Sequence, residues 1–140
     1  MSEVSEELAE HIEALCAAHG IALAFGGRGR AEVHRRGRER HQVIRVPPIR
    51  GQVSYFVALH EIAHLVGPGR SGRRLEKEAA AWMWALANSR VAPTDATRRR
   101  LGAKLRSYVT WAEQRRHRKR PPVLPSAESE FWTLLRYLEA

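Results

Sequence analysis

The strongest constraint in this chain is five residues, His60-Glu61-Ile62-Ala63-His64, set in an apolar run from Gln52 to Val66. On a helix, side chains four residues apart stand one above the other on the same face. His60 and His64 can therefore hold one metal ion together. Glu61 lies about 100° round the helix from His60, within reach of a water beside that ion without being a ligand itself. This is the pattern of zinc hydrolysis: imidazoles hold the ion, the ion acidifies water, and the carboxylate takes the proton. The surroundings agree with a helix. Val53, Phe56, Val57 and His60 share a stripe with His64, and Gly67-Pro68-Gly69 stops the pattern just beyond it.

A catalytic zinc takes three protein ligands and leaves one position open. A third histidine six residues after His64 would complete one known spacing, and Gly67 fits it, but that position is Arg70. The only later histidine, His117, stands in a run of Arg and Lys that disfavours a cation. A glutamate from the next helix remains, and two qualify. Glu78 shares a stripe with Leu75 and Trp82, so it is predicted to point inward as the third ligand. Glu76 lies about 160° away and is held in reserve, as a ligand or as an acceptor from a histidine N–H.

With 140 residues, the chain is expected to form one domain with a core that needs no disulfide. Cys16, its one cysteine, falls in an apolar stripe and excludes both a disulfide framework and a four-cysteine zinc ribbon. There is no charged-then-apolar leader and no run of 18 apolar residues, so a soluble, cytoplasmic protein without membrane contact is expected. The net charge of +9 is unevenly spread. Five glutamates and no Lys or Arg occupy residues 1–19. Ten Lys/Arg against Glu113 occupy 98–120, and eight Arg against Glu32 and Glu39 occupy 28–50. Such zones attract acidic partners or nucleic acid.

The predicted elements are a helix over 5–19 ended by Gly20, and three short strands over 21–25, 31–35 and 41–46, the last two joined by a turn at Gly37. The motif helix and a Gly/Pro/Ser loop over 67–72 follow. A helix over 73–88, apolar nearly all round, is expected to be central. A helix capped by Thr94 then buries Leu101, Leu105, Tyr108 and Ala112. A final helix, capped by Ser126, docks Phe131, Leu134, Leu135 and Leu138. The fold class is α+β, with a core over 5–90 and a basic helical extension over 94–140.

The first helix, small sheet and HExxH helix, followed by Glu76-Lys77-Glu78-Ala79 with Trp82 four residues after the second Glu, resemble the ImmA/IrrE-type metallopeptidases, minimal gluzincin-like zincins of bacteria and mobile elements. The chain differs from that pattern in having Ala80 where Asn is common and Leu86-Ala87-Asn88 where Leu-Met-Pro is expected. Leu75 to Leu86, Leu105-Arg106-Ser107-Tyr108 and Phe131-Trp132 are also similar to small zincin-like proteins of actinobacterial phages. The resemblance implies a zinc endopeptidase with metal at His60, His64 and the Glu, and Glu61 as catalytic base. It further implies an intracellular protein substrate such as a repressor or another DNA-associated regulator. Tyr55, Tyr108 and His117 are the candidate donors to the oxyanion. An extended substrate is expected to pair with a free edge of the 31–47 strands. The alternative is a degenerate zincin with structural zinc, acting as a nucleic-acid- or protein-binding module through Tyr108, Trp111 and the arginines of 98–120.

Overall fold

A computed structural model describes residues 3–68 and 72–140. It is α+β: α1 (Glu3–His19), β1 (Ile21–Phe25), β2 (Arg30–Arg36), β3 (Glu39–Val46), α2 (Gln52–Val66), α3 (Arg74–Asn88), α4 (Asp95–Gln114) and α5 (Glu130–Glu139). The three strands form one mixed sheet in the order β1-β3-β2. β3 is central, parallel to β1 and antiparallel to β2. Arg36 pairs with Glu39, leaving Gly37-Arg38 as a two-residue loop. Gly37 has φ +63 while Arg38 stays at negative φ, the combination a tight hairpin uses when its first loop residue is glycine. Val43, Ile44 and Val46 of β3 are buried, whereas β2 is mostly exposed and no described strand pairs with its outer edge.

α2 is the hub, packing against α1, β2, β3, α3 and α4. An unbroken block from Tyr55 to Ala63 is buried. Gly51, at its N-cap, has no side chain to offer, so Ser54 Oγ turns back to accept from the Arg50 and Gly51 N–H groups at 3.0 and 3.3 Å. At the other end the Gly67 N–H donates to Ala63 O at 2.8 Å, and a Cβ at Gly67 would stand 2.7 Å from that oxygen. The central place expected for α3 thus belongs to α2. α3 buries Leu75, Ala79, Ala81, Trp82 and Ala85, but its Ala80, Met83 and Trp84 are only half-buried. Of the loop expected over 67–72, residues 69–71, with Arg70 among them, lie outside the described residues.

Thr94 caps α4 as its sequence predicts, Oγ1 accepting from the Thr97 N–H at 3.2 Å. α5 begins later than expected, at a cap formed by Ser129 rather than Ser126. Ser126 O instead accepts from the Ser129 N–H at 2.9 Å, closing a turn, and Ser129 Oγ then takes the Phe131 N–H at 3.2 Å. Phe131, Leu134, Leu135 and Leu138 are buried, as the stripe predicts. Cys16 is buried as expected, and burial pushes its thiol up to about 11, which suits a packing residue and not a nucleophile. Among the described residues no helix is long and apolar enough to cross a membrane.

Candidate metal centre

Two consecutive turns of α2 project His60 and His64 to the same side, with ring centroids 4.5 Å apart and planes at 80°. α3 brings one carboxylate to both. Glu78 Oε2 lies 2.8 Å from His60 Nε2 and 3.2 Å from His64 Nε2. His60, His64 and Glu78 each offer a ligand atom, and those atoms lie within 4.8 Å of one another. The donor set, two imidazole nitrogens and one carboxylate oxygen, suits zinc. Ligands about 2.1 Å from a central ion stand roughly 3.4 Å apart in a tetrahedron; the 3.2 Å pair nearly matches this, and the 2.8 Å pair, at hydrogen-bond length, needs only to open slightly. These residues fit the ion.

The surroundings fix the first histidine. Trp82 stacks on His60 with ring centroids 4.0 Å apart and planes at 19°. Glu61 Oε2 lies 3.4 Å from His60 Nδ1, on the ring edge opposite Glu78. Burial disfavours the His60 cation, but Glu61 and Glu78 outweigh it and raise its pKa. Burial likewise opposes ionisation of Glu78, yet its hydrogen bonds with His60 and His64 prevail and hold the carboxyl down to about 2. The two imidazoles thus favour the Glu78 anion.

Tyr108, from α4, closes the site from a third side. Burial, then the Glu78 charge beside it, holds its phenol well above the usual tyrosine range. It stays protonated. Two hollows meet at these residues, of about 350 and 450 Å³. His60, Glu61, Tyr108 and Gly29 border both; Trp82 and Lys104 lie on one side, and His64, Glu78, Arg30 and Arg74 on the other. Gly29, at φ +117, lets the chain entering β2 pass against α2: a Cβ there would stand 2.8 Å from Val57 Cγ1 and 3.5 Å from Glu61 Oε2.

The structure thus brings together His60, Glu61, His64, Glu78 and Tyr108. It does not bring in the other candidates. Glu76 is exposed on α3. Tyr55 is fully buried elsewhere, its hydroxyl 2.6 Å from His11 Nδ1 and accepting from the Arg90 N–H at 3.0 Å. It ties α1 and α2 to the segment at Arg90 and borders neither hollow. His117 is exposed in the turns after α4 and borders neither hollow. Gly29, Arg30, Arg74 and Lys104 were not legible as site residues, because only long-range packing puts them there. The one sequence signal was the glycine cluster Gly26-Gly27-Arg28-Gly29 before a strand. Comparison with protein-family models, curated proteins and solved structures found no match, so geometry alone carries the reading of this site.

Proposed function

We propose that this chain is a zinc-dependent endopeptidase whose metal is held by His60, His64 and Glu78. The observation that carries the reading is the convergence of both imidazole Nε2 atoms on one Glu78 oxygen, with Glu61 beside them at the wall of an open cleft. Bound there, zinc supplies the Lewis acidity that makes water nucleophilic near neutral pH. Glu61 accepts the proton from the attacking water and returns it to the leaving nitrogen. Tyr108, protonated and at the junction of the two hollows, donates to the carbonyl oxygen as charge develops on it. The outer edge of β2, whose Arg30 and Ala31 border the cleft, offers backbone groups that hold an extended substrate.

The substrate class implied by the family resemblance, an intracellular repressor or other DNA-associated regulator, is kept as part of this proposal. A second reading has its own support. The basic α4 and the arginines beyond it suit a binding module in which zinc is structural. One experiment separates the two. Zinc-loaded wild type and Glu61→Gln are each incubated with a proteome-derived peptide mixture, and new termini are counted by mass spectrometry. The endopeptidase reading predicts new termini with wild type, lost on chelation, and a fall of about 10²–10⁴-fold in Glu61→Gln at unchanged zinc content. Equal cleavage by Glu61→Gln would overturn the mechanism, and no cleavage by wild type would favour the binding module.

A further inference from the structure

Beside the metal cleft lies a second cavity, of about 370 Å³, walled by Arg73, Arg74, Arg115, Arg118 and Arg120 around Trp111. None of these five arginines is in an ion pair among the described residues. Two are held in place. The Arg74 and Arg115 guanidinium carbons sit 4.8 and 5.0 Å from the Trp111 ring centroid, and Arg115 Nη1 also donates to Trp111 O at 3.0 Å. A guanidinium held over a ring still has several N–H groups to offer an oxyanion, and Arg115 spends only one on Trp111 O. The start of α3 opens on the same cavity. Arg73 is its N-cap, with no side-chain hydrogen bond to the first turn, so the positive end of the helix adds to the field.

Arg74 borders both this cavity and the metal cleft, so the two adjoin at its side chain. Leu75, Pro122 and Val123 give the cavity an apolar lining for the methylene parts of a side chain. We propose that this arginine-walled cavity is a subsite for an acidic segment of the substrate polypeptide, selecting chains with Asp or Glu near the bond to be cut. The inference rests on the endopeptidase reading for its direction. Single-stranded nucleic acid is the less favoured occupant, because bases bind such proteins by stacking on exposed aromatic rings, and guanidinium groups already occupy stacking positions on Trp111.

The test measures fluorescence anisotropy of a labelled Glu-rich peptide, its Gln counterpart and a single-stranded oligonucleotide of equal charge, all with full-length Glu61→Gln protein so that nothing is turned over. The acidic peptide is expected to bind at least about tenfold tighter than the Gln peptide and tighter than the oligonucleotide. Arg115→Gln with Arg118→Gln removes that preference, whereas Arg99→Gln with Arg100→Gln, exposed on α4 and outside the cavity, changes it by less than about twofold. Arg118→Gln with Arg120→Gln, both exposed, repeats the test should loss of the Arg115 contact disturb the fold. Equal losses in the cavity and control pairs overturn the subsite, as does tighter binding of the oligonucleotide through Arg115 and Arg118. Wild type that cleaves acidic and neutral peptides with equal kcat/KM overturns the subsite and spares the endopeptidase. Wild type that binds the acidic peptide through these arginines but cleaves nothing does the reverse.

Discussion

Glu78 meets two imidazoles of α2 at one carboxylate oxygen, and Tyr108 of α4 borders the same hollow. The position of Glu78 follows from helical phase. Leu75 and Trp82 anchor the buried stripe of α3, and Glu78 lies on it, while Glu76 on the opposite side is exposed. That much could be read from spacing. Gly29 could not, since its role depends on how closely β2 approaches α2. Gly29→Ala should strain a backbone at φ +117, costing about 1–3 kcal/mol, and should also press on Val57 and Glu61. Gly26→Ala, at φ +139 with open space around it, supplies the strain without the contact. Thermal melts should show both variants destabilised, with cleavage lost beyond tenfold only in Gly29→Ala. Equal activity in the two would mean that the close approach does not matter to Glu61.

α5 covers the side of the molecule formed by α3 and α4, and glycine allows it to come close. A Cβ at Gly102 of α4 would stand 3.1 Å from Leu138 Cβ and 3.2 Å from the Leu138 carbonyl carbon. Arg106 fastens the same end through Glu139, at 3.0 and 2.6 Å. Gly102→Val should therefore force α5 outward and cost about 1–3 kcal/mol despite the better helix propensity of valine. Denaturant unfolding measures this, and a variant as stable as wild type would contradict the packing. The burial of α5 was legible from Phe131, Leu134, Leu135 and Leu138 at helical spacing. Its start was not, because Ser126 and Ser129 are both good caps, and the Ser126–Ser129 turn decides between them. The centrality of α3 was misread for a related reason: alanines make a helix face look apolar without requiring it to be covered.

Across the whole molecule, two buried histidine systems respond oppositely to protons. The Tyr55 hydroxyl accepts from the Arg90 N–H at 3.0 Å and lies 2.6 Å from His11 Nδ1, a contact that a neutral imidazole satisfies in either direction. Burial, then the charge of Arg90, lowers the His11 pKa below the ordinary 6.5. A histidine depressed in the folded state takes up its proton first in the unfolded chain, so its contribution is full above about pH 6.5 and is lost as pH falls through that window. The melting-temperature advantage of wild type over His11→Gln should accordingly shrink between pH 7.5 and 5. A constant difference would contradict the neutral-His11 arrangement. The His60–Glu78 pair opposes this trend, since a raised histidine pKa stabilises the fold at lower pH. Metal occupancy bears most directly on the central claim. Zinc content of purified, zinc-supplied wild type should be about one ion per chain and should fall to near zero in His64→Ala and Glu78→Ala, while Glu76→Ala keeps it. A wild type that holds no metal, or a Glu78→Ala that holds as much as wild type, would contradict the account.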